Sequence, residues 1–195
     1  MKKILSAILL AVMMLSLAAC STTKTDTPVS SSSPESSPEA VATVSPEPEA
    51  PAVKSISISE TLTTSRYEIT FNKIEFSYDV MPDNTSGFYT HYAADSGKVY
   101  IHVDTDVKNT QKQQLKCDDI LKVEVEYNDG YKYSSNTVPE DSTTGFTYAN
   151  ITSIDPLETL GIHFLASCPE EVETSDNPVK VIFSIDGQDY EYVIR

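Results

Sequence analysis

The chain has 195 residues and a formal net charge of -15, from 29 Asp and Glu against 14 Lys and Arg. That balance argues against a nucleic-acid partner, whose phosphates need a basic patch, and against docking on anionic lipid by charge. With 3 Cys and no Trp, the chain is neither a disulfide-stapled mini-protein nor a zinc finger with paired Cys spacing.

The N-terminus reads as an export signal over residues 1–19. Lys2 and Lys3 precede an apolar run from Ile4 to Ala19 broken only by Ser6 and Ser16. As a helix the run spans about 24 Å, short of the ~30 Å hydrocarbon core, and it ends in small residues, so cleavage is expected rather than a permanent span. Leu17-Ala18-Ala19-Cys20 resembles a bacterial lipobox, the motif read by lipoprotein signal peptidase. The resemblance implies a diacylglyceryl thioether on Cys20, which becomes the mature N-terminus and holds the chain at the outer face of the cell membrane. Paired acyl chains bury many CH₂ groups at about 0.8 kcal/mol each, so such an anchor needs no basic residues.

Residues 20–53 hold this Cys and a stretch rich in Ser, Thr, Pro and Glu, with no aromatic and no Gly. Such a composition cannot bury enough apolar surface to offset ordering entropy, and a disordered tether is expected. Repeats such as Ser45-Pro46-Glu47-Pro48-Glu49 favour extended polyproline II. The tether spans roughly 30 Å as a flexible coil and about 100 Å at full extension.

Residues 54–195 hold every Tyr, Phe and Gly of the chain. Their apolar period is two, the signature of half-buried strands. Tyr67, Ile69 and Phe71 alternate with polar neighbours, and Ile74, Phe76, Tyr78 and Val80 continue on the opposite parity, so a bulge or break is expected at Asn72-Lys73. Val99 to Val107 and Leu121 to Tyr127 alternate in turn. Asn128-Asp129-Gly130 is a hairpin signal leading back into Tyr131-Lys132-Tyr133. Thr144 to Ile151 is a weaker strand, followed by one helical turn expected at Asp155-Pro156-Leu157-Glu158, with Asp as N-cap and Pro at the first helical position. Leu160 to Cys168 and Val179 to Ile185 are strands, and Asp186-Gly187 turns the chain into Tyr190, Tyr192 and Ile194. About eight short strands and no helix-period window predict an all-β fold, an antiparallel β-sandwich, with a small barrel as the alternative.

The Tyr67-to-Phe71 strand, the Val99-to-Val107 strand running into Lys108-Asn109, and the Asn128-to-Tyr133 hairpin resemble a domain of unknown function found in surface lipoproteins of Gram-positive bacteria. The upstream lipobox and tether fit the same pattern. The resemblance implies a telokin-like, immunoglobulin-like sandwich and supplies no active site. The Cys…Trp…Cys signature of antibody domains is absent.

Few residues point to chemistry. With Cys20 lipidated, Cys117 and Cys168 remain as an even pair in an exported domain, a candidate disulfide worth about 4 kcal/mol, with two buried free thiols as the alternative. The segment Met81 to Gly97 carries Phe88, Tyr89, His91 and Tyr92; these are either a recognition loop or rings that close the open end of the core. His102, Asp104 and Asp106 share a strand face that reads as a solvated acidic surface, since a metal would need ligands from another strand. Asp83, Asn84 and Asp95 are candidates for a weak Ca²⁺ site in the long loop, but they match no EF-hand, and no metal site is expected. Asn84-Thr85-Ser86 and Asn150-Ile151-Thr152 are chance glycosylation sequons beside a bacterial lipobox. No Gly-x-Ser-x-Gly, His-Glu-x-x-His or phosphate-binding Gly loop is present, and His91, His102 and His163 have no motif partner. The expected function is therefore a non-catalytic binding or structural module of the envelope, without cofactor, meeting an envelope protein, peptide or glycan. An envelope enzyme, an enzyme inhibitor or a solute-capture lipoprotein of a transporter are the alternatives.

Overall fold

The computed structural model describes residues 53–195; the signal segment, Cys20 and the tether to residue 52 lie outside the described residues. Among the described residues no helix is long and apolar enough to cross a membrane. The strands in chain order are β1 (Lys54–Ser55), β2 (Thr61–Thr63), β3 (Tyr67–Ser77), β4 (Asp79–Val80), β5 (Tyr92–Ala93), β6 (Lys98–Asn109) and β7 (Leu115–Lys116). After these come β8 (Lys122–Tyr127), β9 (Tyr131–Asp141), β10 (Gly145–Phe146), β11 (Ser153–Ile154), β12 (Thr159–Pro169), β13 (Val179–Ile185) and β14 (Gln188–Val193). One helical turn, α1 (Glu171–Thr174), separates β12 from β13.

The fold is a β-sandwich with more strands than the eight expected. The extra ones, β1, β2, β4, β5, β7 and β11, are two or three residues long, too short for alternation to show. One leaf runs β1-β14-β13-β8-β9 and the other β9-β12-β6-β3-β2. β9 belongs to both: Tyr131 to Ser134 pair with β8, and Ser135 to Pro139 pair with β12. A strand that crosses between sheets closes one corner of a sandwich. The pairings are antiparallel except β1 with β14, which is parallel.

Alternation sets the core. Val123, Val125 and Tyr127 of β8 and Val179, Val181, Phe183 and Ile185 of β13 face inward against Tyr67, Ile69, Phe71, Val99, Ile101, Val103, Ile162 and Phe164. Phe71 and Phe183 meet edge-on across the leaves, ring centroids 5.0 Å apart. Each such ring contributes roughly 1.5–3 kcal/mol by leaving water. The parity flip in β3 is a bulge: the register against β6 shifts between Phe71 and Lys73, so Ile74 and Phe76 return to the core side.

Hairpin chemistry is as expected. Asn128 and Asp129 take positive φ (49° and 52°) in the three-residue loop between paired Tyr127 and Tyr131, and Asp186 and Gly187 (48° and 81°) form a two-residue loop between paired Ile185 and Gln188, the left-handed backbone that hairpin turns require. The Lys108-Asn109 end of β6 has a structural task. Buried Asn109 donates through its side-chain amide to Gln113 O and Ile154 O and accepts from the Gln111 amide. That ties the next loop and β11 to the sheet.

Two local expectations fail. Asp155 to Glu158 forms a tight turn, not a helical one. Leu157 lies at φ 68° and donates its amide to Asn109 O, while Glu158 donates to Asp155 O; a left-handed residue cannot continue a helix. The Thr144-to-Ile151 strand shrinks to β10 and a 3₁₀ turn at Ala149–Ile151.

Candidate functional site

The second leaf is buried on both faces in its middle. Outward from β6, β12 and β9 point His102, His163, Leu165 and Val138, all buried. Val80, Val138, Phe146 and Leu165 form a small second cluster there, with Tyr92 and Tyr100 packed against it. The covering layer is the Met81-to-Gly97 segment. β4 and β5 pair at its two ends, Asp79 opposite Ala93 and Val80 opposite Tyr92, and fold it back over the sheet.

Gly145 seats this loop. It sits at φ 82°, and a Cβ there would lie 2.9 Å from both Pro82 Cγ and Tyr89 Cβ. Thr90 adds a backbone N–H to Thr144 O at 2.7 Å and a hydroxyl to the same oxygen at 2.9 Å. The four aromatic loop residues thus divide. Tyr92 packs on Phe146 with centroids 5.5 Å apart, and Tyr89 leans on Gly145. His91 pairs with Asp79 through Nδ1 at 2.6 Å. Phe88 is 80% exposed. The loop covers the outer face of a sheet rather than the open end of the core.

Beneath it lies a chain of titratable groups. His102 and His163 sit with nearly parallel rings, and His102 Nε2 is 2.8 Å from His163 Nδ1. His102 Nδ1 is 3.4 Å from Glu75 Oε1. A carboxylate only accepts, so His102 Nδ1–H donates to Glu75, neutral His102 then accepts at Nε2, and His163 donates from Nδ1. That order leaves His163 Nε2 facing outward. This atom is buried without a hydrogen-bond partner, 3.3 Å from Glu140 Oε1 and 4.0 Å from Asp104 Oδ1. Phe146 closes one side, its ring edge-on to His163 at 5.0 Å. Burial first, and the adjacent His163 second, hold the His102 pKa below its ordinary value. Burial likewise raises the Asp104 carboxyl above the usual carboxylate range.

Glu140, at the end of β9, accepts the Asp83 backbone N–H at 2.7 Å. It also fills the space a side chain would need at Gly161, where a Cβ would lie 2.8 Å from Glu140 Oε2. Asp83, Glu140 and His163 each offer a donor atom, all within 4.8 Å of one another. A cleft of about 280 Å³ opens beside Glu140, between Pro82 and Gly161.

The expected solvated face of His102, Asp104 and Asp106 is therefore exposed at Asp106, half-buried at Asp104 and buried at His102. Of Asp83, Asn84 and Asp95, only Asp83 joins a donor cluster among the described residues. Cys117 and Cys168 are buried free thiols, not a disulfide. Each fills an apolar core position, and Cys168 donates weakly to Ala166 O at 3.6 Å. Desolvation pushes both thiols up to about 12, which keeps them neutral and unreactive. Glu75, Glu140 and His163 were not singled out from sequence. The available signal was polar parity: Glu75, His102 and His163 all occupy outward positions of their strands.

An uncharacterized β-sandwich protein from Clostridium difficile 630, known from a crystal structure, is 55% identical over 77% of this chain and 100% of its own, with a TM-score of 0.74. This chain belongs to the same family. A conserved hypothetical protein from Bacillus anthracis matches over 71% of this chain and 94% of its own, at 14% identity and a TM-score of 0.49. No family model and no curated protein matches this chain.

Proposed function

We propose that this protein is a surface lipoprotein of a Gram-positive envelope, anchored through Cys20 to the outer face of the membrane. Its sandwich, of the telokin-like kind that the motifs resemble, is a non-catalytic binding module held away from the bilayer by residues 21–53. The observation that carries the binding reading is the seated loop: Pro82, Tyr89 and Tyr92 fix it against the sheet while Phe88 is left exposed at its tip. An aromatic held out on an anchored loop is an economical interface anchor, because little ordering entropy is lost on binding. The Cys20 reading rests on the order of basic residues, apolar run, small residues and Cys.

Two measurements test this. Labelling cells with an alkyne fatty acid tags the wild type and leaves Cys20→Ala unlabelled; equal labelling removes the anchor. Photo-crosslinking from position 88 on whole cells yields a discrete envelope adduct of protein, peptide or glycan. Its absence across growth phases removes the binding role.

A further inference from the structure

We propose that His163 Nε2, Glu140 and Asp83, with Asp104 as a fourth donor, bind one divalent first-row transition cation, represented by Zn²⁺, and that the ion clamps the Met81-to-Gly97 loop onto the sheet.

The first argument is the orphaned nitrogen. His163 is 1% exposed, and its Nε2 has no hydrogen-bond partner although carboxylate oxygens lie 3.3 and 4.0 Å away. With His163 Nδ1 donating to His102, Nε2 is the ring nitrogen left facing the carboxylate oxygens. That arrangement is repulsive in a low-dielectric pocket unless a positive centre sits between them. A metal ion answers all of these groups at once.

Distances and chemistry agree. Bonds of about 2.0–2.2 Å in a tetrahedral site put donors roughly 3.3–3.6 Å apart. His163 Nε2 and Glu140 Oε1 stand at 3.3 Å, and Asp83, Glu140 and His163 offer donor atoms within 4.8 Å of one another. Asp104, 4.0 Å from Nε2, and Asp83, whose side chain is exposed on the loop, close in on the ion. One imidazole with two or three carboxylates suits Zn²⁺ or Mn²⁺; Ca²⁺ and Mg²⁺ take oxygen shells, and no thiol is part of this donor cluster.

The surroundings match a ligating histidine. Such a ring donates its second N–H to an acceptor that fixes tautomer and orientation. Here His102 is that acceptor, itself oriented by Glu75, so His102 is a positioning residue. Gly161 leaves room for the Glu140 carboxylate, and the cleft beside Glu140 gives the ion a route in. Asp83 belongs to the loop and His163 and Glu140 to the sheet, so one ion bridges the two layers.

The test is calorimetric titration of the purified full chain with Zn²⁺ after EDTA treatment and buffer exchange, with Co²⁺ absorption as a second readout. The expected result is one ion per chain, visible Co²⁺ d–d bands, and slower amide exchange over residues 82–91 on adding Zn²⁺. His163→Gln and Asp83→Asn each weaken binding at least about tenfold, and His102→Asn about 10–100-fold, while His91→Gln leaves it unchanged. The absence of saturable binding, equal affinity in His163→Gln, or Ca²⁺ binding as tight as Zn²⁺ overturns the site. If His163→Gln fails to fold, Asp83→Asn decides: its side chain is exposed, and unchanged affinity in the folded variant overturns the site equally.

Discussion

Replacing Gly145 by Ala tests how the covering loop is held. The residue sits at φ 82°, and the new methyl would lie 2.9 Å from Pro82 Cγ and Tyr89 Cβ and 3.2 Å from Thr90 O. The left-handed backbone alone costs a side chain roughly 1–2 kcal/mol, and forcing a methyl into close contact adds about 1–3 kcal/mol. A combined cost of about 2–5 kcal/mol is a large share of the 5–15 kcal/mol typical of a whole domain. Gly187 supplies the control: its φ is 81°, but nothing lies within 4 Å of a Cβ there, so Gly187→Ala reports the backbone cost alone. The second cluster is small beside the main core, and the clash is relieved by lifting the loop instead of opening the sandwich. Gly145→Ala therefore lowers Tm by several degrees more than Gly187→Ala, at about 2–4 °C per kcal/mol. It also speeds amide exchange over residues 82–92 more than tenfold, while β6 and β13 stay protected. Gly145→Ala and Gly187→Ala with matching Tm and matching loop exchange would refute the seating of the loop on Gly145.

Tyr67→Phe removes the hydroxyl that donates to Ile120 O in the core and costs about 1–2 kcal/mol in urea unfolding, because the carbonyl is left unpaired; a neutral result removes that bond from the account. Phe88→Ala, at an 80% exposed site, changes stability by less than about 0.5 kcal/mol while abolishing any adduct formed through the loop tip; a large loss of stability shows the ring to be packed. Cys117 and Cys168 resist alkylation in the native state and both react in denaturant, with or without reductant; protection that only reductant removes would demonstrate a bridge. High pH destabilises the fold. Burial raises Tyr67, Cys117 and Cys168 to about 12, so their contributions are complete below the unfolded values near 9–10 and are lost as pH climbs through 12. Cys168→Ala gives a shallower decline of urea-unfolding midpoint between pH 9 and 12, and an unchanged slope contradicts the assignment.

The sandwich was readable from sequence because its information is local. Alternation over β3, β6, β8, β12 and β13 follows from each strand having one dry face, and Asn128-Asp129 and Asp186-Gly187 carry the φ preferences of their turns in their own side chains. The Asn72-Lys73 parity flip was readable for the same reason: a bulge must move Ile74 and Phe76 back to the side of Phe71. Residues that depend on a third layer were not readable. His102 occupies a polar-parity position, which in a two-layer sandwich means solvent, yet it is buried against His163 on a face that carries its own apolar cluster of Val80, Val138, Phe146 and Leu165. The helical turn expected at Asp155 failed similarly, since the Asn109 carbonyl that captures the Leu157 amide is far away in sequence.

The candidate site compounds this difficulty. His102 stands opposite Leu165 and His163 opposite Asp104 in the β6–β12 register, so the two rings are diagonal neighbours whose contact exists only once that register is set. Glu140 reaches His163 because β9 crosses from one leaf to the other, and Asp83 arrives on a loop whose seat is a glycine more than fifty residues downstream. Every donor thus comes from a different element, and no two share a spacing a motif could record. The acidic composition hid the cluster further, since one carboxylate among 29 attracts no notice. What separates Glu140 and Asp104 from the solvated remainder is that they face a buried nitrogen without a hydrogen-bond partner, a relation that exists only in three dimensions.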